Sequence, residues 1–474
     1  MTLKIVVALI IGASAAAALV APHDEWSRFR GPNGSGISAA TNLPTEFGPE
    51  KNLIWKLDLP QGHSSPILHR DRIYLTGFRE KDLFTLAIGN DGKVLWETKL
   101  EGLATPPADK RNNAASPSPV VDDTGVYVFF HDFGMVAYDL EGKERWRLPL
   151  GPFINVYGMG ASPIFAGGLV VLAADQSVES YVMGVDKATG TVQWKTPRPE
   201  AKSGHSTPIL WKAADGSDEI LLPGSFLLTS YDAKTGAKKW WVRGLSFEMK
   251  SVPVIDGGTL YINGYGSTEN GPGQDVKAGD TKDVFAANDA NKDGTLVKDE
   301  LPADHHARGW IGFMDLDKSG ALTPDEWDYY RAALASRNGM IAIRLGGQGD
   351  MTETNVQWAY HRAVPQLPSP IIYGGVLYMV NDGGIVTTLN PETGAVVKQG
   401  RIPGAIDRYY ASPVAGDGKV YMTSEKGKIA VLRPDGSLEP IAVNDIGEDI
   451  YATPALADGR IYVRTRNALF AFGR

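Results

Sequence analysis

Ala188-Thr-Gly-Thr-Val-Gln-Trp-Lys-Thr-Pro197 decides the fold, because versions of it return along almost the whole chain. In each, a turn carrying Gly is followed four residues later by Trp. Thr189-Gly190 with Trp194 recurs as Asp91-Gly92 with Trp96, Glu141-Gly142 with Trp146, and Thr235-Gly236 with Trp240. A second marker, a small residue before Pro, opens each unit: Ser65-Pro66, Ser118-Pro119, Ser162-Pro163, Thr207-Pro208, Val252-Pro253, Ser369-Pro370, Ser412-Pro413 and Thr453-Pro454. These prolines are 53, 44, 45, 45, 117, 43 and 41 residues apart, which is a repeat with one large insertion.

A period in the low forties with four short apolar runs per unit predicts a β-propeller, whose blades are four-stranded sheets around an axis. In the third unit the runs are Ser162 to Phe165, Leu169 to Ala174, Tyr181 to Asp186 and Val192 to Thr196, too closely spaced for intervening helices. Gly167-Gly168 and Thr189-Gly190 supply the positive φ that hairpins require. The final unit, from Thr453, has residues for about three strands, so the strand Asn52 to Leu59 is expected to complete it and leave no open sheet edge. The fold class is therefore all-β, an eight-bladed propeller of antiparallel blades closed by the N-terminal strand.

The formal charge of -8, with no basic stripe, excludes a nucleic-acid partner. Residues 269–338 hold 14 acidic and 8 basic residues, so most of the acidity is local. Residues 1–21 read as a secretory signal: Lys4, an apolar run from Ile5 to Val20, and small residues for cleavage, with an uncleaved anchor as the alternative. There is no cysteine, hence neither lipobox nor disulfide. A periplasmic or secreted monomer without a membrane span in its mature form is the expectation. Trp26 to Gly36, Trp-Ser-Arg-Phe-Arg-Gly-Pro-Asn-Gly-Ser-Gly, is read as an ordered surface lead-in.

The Gly-x-x-x-Trp ends, the Ser/Thr-Pro starts and this lead-in make the chain resemble the pyrroloquinoline-quinone-like (PQQ-like) β-propeller repeat proteins. The likeness covers roughly residues 26–474 outside the insertion, and departs from the pattern where Lys398 and Pro440 stand in place of Trp. Quinone-dependent dehydrogenases of this superfamily, by that resemblance, have a Trp beneath the cofactor, a Ca²⁺ held by Glu and Asn, an Asp base and often a vicinal disulfide, which is impossible here. Other members keep the propeller and bind no quinone. The resemblance thus implies a binding or scaffold module for a protein, peptide or small molecule, with PQQ-dependent alcohol or sugar oxidation as the alternative.

The insertion divides the propeller into residues 22–268 and 339–474, and residues 269–338 resemble an EF-hand pair placed in the fifth blade. The first loop offers Asp289, Asn291, Asp293, Thr295 and Glu300; the second offers Asp315, Asp317, Ser319, Ala321 and Glu326. A hard cation with six to eight oxygen ligands at about 2.3 to 2.6 Å needs this spacing. Thr295 and Ala321 contribute only a backbone carbonyl, Gly294 and Gly320 allow the sharp turn, and the glutamates close the cage with two oxygens. Leu296 and Leu322 are placed to pair the loops. Two structural Ca²⁺ ions are expected.

A ring of polar and aromatic residues just before the Pro markers forms the second candidate site: His63, Asn113, Tyr157, His205, Lys250, Gln366, Tyr409 and Tyr451. These positions surround the axis, where a small-molecule or peptide ligand, or a quinone, would bind. Backbone capping in a watery channel is their structural alternative. No esterase elbow, zinc-protease helix or P-loop is present.

Overall fold

The structure, a computed structural model, describes residues 26–105, 109–267 and 278–474; residues 1–21, read above as a signal, lie outside them. Eight sheets surround one axis, each with consecutive strands paired antiparallel from the axis outward. In the eighth blade Leu53–Asp58 pairs with Ala468–Phe472, so the N-terminal strand closes the ring. The fourth blade carries an additional two-residue strand, Gly349–Asp350, lying parallel to Lys238–Arg243. Among the described residues no helix is long and apolar enough to cross a membrane.

The repeated motif acts between blades. A register shift beside each Trp position lets the Gly turn protrude, and the Trp of one blade lies over the Gly of the next. Thus a Cβ on Gly190, whose φ is +75°, would fall 2.7 Å from the Trp146 ring. The indole N–H of Trp146 donates to the Lys187 carbonyl at 2.9 Å, and Trp55, Trp96 and Trp358 repeat that bond to Asn90, Leu140 and Pro391. Opposite Trp96, Trp146, Trp194 and Trp240 stand Ala87, Ala137, Gly184 and Ser230, which leave room for the ring.

Two blades lack the ring and are filled differently. Lys398 does occupy the Trp position of the sixth blade, but the seventh blade places Ala442 there and Pro440 two residues earlier. The larger Thr388 and Val431 face these positions. Thr388 Oγ1 also bonds the Gly436 carbonyl at 3.0 Å, replacing the missing indole contact.

The Ser/Thr-Pro markers form a belt around the axis. The backbone N–H of each marker donates to the hydroxyl of the next blade's marker: Ser65 to Ser118, Ser118 to Ser162, and Ser162 to Thr207, at 2.8 to 2.9 Å. On the other side Val252 donates to Ser369, Ser369 to Ser412, Ser412 to Thr453 and Thr453 back to Ser65, at 2.9 to 3.1 Å. The belt is broken once, because Val252 has no hydroxyl to offer Thr207.

The lead-in is not on the surface. Trp26, Arg28 and Arg30 are buried. The segment closes one end of the channel: Trp26 accepts from Leu68, Ser27 from Val121, Arg28 donates to the Pro208 carbonyl, Arg30 to the Pro370 carbonyl, and Ser38 pairs with Ala415. Long-range pairing with five blades buries a segment whose Gly-rich composition reads as exposed.

Between the fifth blade's strands Thr259–Gly264 and Gly339–Arg344 the chain leaves the sheet. It forms helices α1 (Thr281–Asn288), α2 (Ile311–Met314) and α3 (Pro324–Ala335). They share a small core of their own around Trp327, Leu296, Leu322 and Met314.

Candidate functional site

The open end of the channel is a funnel of about 1000 Å³ including its mouth, with Phe29 of the lead-in at its floor. Of the ring expected from the sequence, His63, Tyr157, His205, Lys250, Gln366 and Tyr451 line it. Asn113 and Tyr409 do not; their neighbours Asn112 and Tyr410 do. Asn113 turns its carboxamide back to accept the Ala115 N–H at 3.0 Å, whereas Tyr409 is buried and its hydroxyl donates to the Ala405 carbonyl at 2.7 Å. Arg111 and Asp109 also belong to the wall. Neither follows from the marker spacing, because the loop before the second blade is longer than the others.

The charged groups of the wall are already paired. Arg111 holds Asp109 through two bonds of 2.7 Å and lies over the Tyr157 ring. Lys250 bonds the buried Glu248, whose other oxygen is 2.9 Å from the Ser203 hydroxyl and 3.7 Å from His205 Nε2. Burial alone would lift the Glu248 carboxyl, but Lys250 and His205 hold it well below the ordinary carboxylate range. Tyr451 is sandwiched, with His63 stacked 4.5 Å away on one face and Tyr410 5.7 Å away on the other. Burial, and then the nearby Arg464, push His63 down to about 3, so the imidazole is neutral.

The insert loops have matching shapes. Leu296 and Leu322 exchange two backbone bonds of 2.9 Å. Gly294 and Gly320 have φ of +85° and +90° and donate to Asp289 and Asp315. Glu326 faces its own loop, one oxygen accepting from Leu316 N–H at 2.7 Å and the other from Thr323 N–H at 2.8 Å. Glu300 repeats the pattern with Ala290 and Val297. Asp315, Asp317 and Glu326 bring ligand oxygens within 4.8 Å of one another, a small acidic cluster able to chelate a divalent ion. Ser319 and Ala321 flank that cluster, their hydroxyl and carbonyl 3.0 Å apart. In the other loop Asp293 is drawn instead to Thr295 and Asn291. The insert packs on the propeller beside the funnel, Phe313 meeting Phe247 edge to face at 5.8 Å.

A family model described as outer membrane protein assembly factor BamB matches residues 48–178 and 178–474. The chain belongs to this family. A curated BamB-family relative, the outer membrane protein assembly factor BamB of Yersinia pestis, is 21% identical over 327 residues, which are 67% of this chain and 75% of that one. Among solved structures, BamB from Moraxella catarrhalis superposes with a TM-score of 0.57 at 12% identity, covering 89% of this chain and 99% of that chain. A europium-containing methanol dehydrogenase reaches 0.62 at 9% identity, covering 95% and 98%. These structural likenesses speak for the PQQ-like propeller fold.

The quinone expected from the resemblance finds a poor seat in this BamB-family funnel. No Trp lines it among the described residues, and the floor is Phe29. Of the nearby carboxylates, Asp109, Glu248 and Glu425 are each paired with a cation, and Asp382 is held by the Gln366 N–H at 3.0 Å. The residues present do not fit a calcium–quinone pair, and no redox step is derived through one.

Proposed function

We propose that this PQQ-like propeller is an exported binding or scaffold module. Its funnel takes a small ligand or peptide end, and its insert, residues 269–338, is a pair of EF-hand calcium loops with a structural role. The observation that carries the reading is the pairing of the wall. Asp109 with Arg111 and Glu248 with Lys250 leave a recess over Phe29 whose charged groups are held by one another. Such a recess with a few convergent polar groups suits recognition. The apolar segment within residues 1–21 supports export to the periplasm or exterior. The name borne by the family, an assembly factor, supports a protein partner for the propeller's outer surface.

In the second loop Asp315, Asp317, Ser319, the Ala321 carbonyl and Glu326 would hold Ca²⁺; in the first, Asp289, Asn291, Asp293, the Thr295 carbonyl and Glu300. The ion would relieve repulsion among carboxylates gathered by one short loop. Because calcium in an extracellular compartment fills sites of about 10⁻⁴ to 10⁻³ M affinity, it orders structure rather than signals. Adding pyrroloquinoline quinone and Ca²⁺ to purified protein, with alcohols or sugars and a redox dye, tests the reading. Neither bound cofactor absorbance nor dye reduction is expected. Stoichiometric quinone absorbance with dye reduction would replace the binding module by an oxidoreductase.

A further inference from the structure

Beneath and behind the funnel are cations with no counterion. Arg30 is 0% exposed and Arg28 and Arg464 are buried as well. Their polar contacts are the carbonyls of Pro370, Pro208, Pro60 and Ser64 and the Ser64 hydroxyl. Among the described residues no carboxylate pairs with any of the three, and Arg28 Nε, Arg30 Nε, Arg30 Nη1 and Arg464 Nε have no hydrogen-bond partner. Unpaired buried charge is costly, and a fold that keeps three such groups holds a positive potential along its axis.

The groups above them are donors. Ser65, Ser162, Ser369, Ser412 and Thr453 line the funnel. Each of these five oxygens accepts one backbone N–H, and among the described residues none of these hydroxyl protons has an acceptor. The aromatic wall has the same bias. Tyr451 is stacked against His63 and Tyr410, which withdraws its electronegative faces from the funnel, and its hydroxyl donates to Glu425 at 2.9 Å. Asp109 in the wall, and Glu248 and Glu425 behind it, are each paired with a cation.

We infer that the funnel is an oxyanion site: a carboxylate or phosphate group descends the axis to the Ser/Thr belt over Phe29, held by the hydroxyl protons and the field of Arg28 and Arg30. This rests on the funnel being a binding recess and names the chemistry of its ligand. Hydroxyl donors take any oxyanion, so the source is a free phosphate or the carboxylate of an organic acid.

The test is titration calorimetry of the full chain at fixed ionic strength with inorganic phosphate, benzoate and the neutral benzamide. One site per chain is expected for phosphate and benzoate, with benzamide at least about tenfold weaker, the discrimination of one charge-assisted bond. Phosphate binding more tightly than benzoate assigns a phosphate source, and the reverse an organic acid. Arg30→Gln, and independently Ser412→Ala, which removes one hydroxyl and leaves the lead-in intact, are each expected to weaken the anions and leave benzamide unchanged. Benzamide binding as tightly as benzoate would overturn the oxyanion while leaving a binding recess. Absence of binding by either anion, or anion affinity unchanged in Ser412→Ala, would overturn it as well.

Discussion

Replacing Thr207 by Val removes one link of the hydroxyl belt while keeping the shape of the side chain. Thr207 is 1% exposed and its hydroxyl is the acceptor, at 2.9 Å, for the Ser162 N–H. Without it that buried donor is orphaned, at a cost of about 1 to 3 kcal/mol. The methyl that replaces the hydroxyl returns about 0.8 kcal/mol of apolar burial. The net expectation is a loss of about 0.2 to 2.2 kcal/mol. The converse change, Val252→Thr, completes the belt, because Thr207 N–H gains the acceptor its neighbour lacks. A hydroxyl in a buried site without a partner costs about 1 to 3 kcal/mol, whereas here the new bond offsets the lost methyl and the change is expected to be within about 0.5 kcal/mol of neutral. Guanidinium unfolding followed by both fluorescence and circular dichroism reads both variants. An unchanged midpoint for Thr207→Val, or a loss above about 2 kcal/mol for Val252→Thr, would refute the belt as a source of stability.

Chelation should release the insert before the ring: at ten times the dissociation constant a bound ion contributes about 1.4 kcal/mol, so removing Ca²⁺ should expose residues 281–335 to limited proteolysis and leave the blades resistant. Equal protection with and without chelator would count against calcium. His63 supplies a pH effect. Its folded value, about 3, lies below the unfolded value near 6.5, so the unfolded chain binds more protons between them. Stability from the neutral imidazole is thus complete above about pH 6.5 and is lost as pH falls toward 3. His63→Phe, which keeps the stack on Tyr451, should flatten the decline in unfolding midpoint between pH 7.5 and 5. Gly190→Ala forces a Cβ into Trp146 and should cost about 1 to 3 kcal/mol more than Gly168→Ala, where φ is similarly positive at +84° but nothing lies within 4 Å, the difference being the steric clash alone. Thermal unfolding compares the two.

The ring was legible because its signals are periodic and local. Gly190 and Trp194 are four residues apart, and the Ser/Thr-Pro markers repeat at each innermost strand. What they do is not local: the marker hydroxyl serves the neighbouring blade, and each Gly serves the preceding blade's Trp. Errors came where the spacing slips. The turn at Gly436 is two residues longer than its counterparts, which moves the Trp position from Pro440 to Ala442. A one-residue offset exchanged Asn113 for Asn112 and Tyr409 for Tyr410 in the funnel wall. The axial position of Arg28 and Arg30 had no signal at all, since their partners lie 180 and 340 positions away. The cluster of Asp315, Asp317 and Glu326 was readable, because its residues fall within one short segment.

Closure by Leu53–Asp58 against Ala468–Phe472 has a consequence for biogenesis. A nascent thread that has not yet produced its final sheet has the carbonyls that Arg28 and Arg30 reach, but keeps an unfilled rim at each end. Completion waits until Ala468–Phe472 has been made, more than 400 residues after its partner strand, which makes this a slow, non-local folding problem. The half-made ring, with its raw strand edges, is the species a chaperone has to shield.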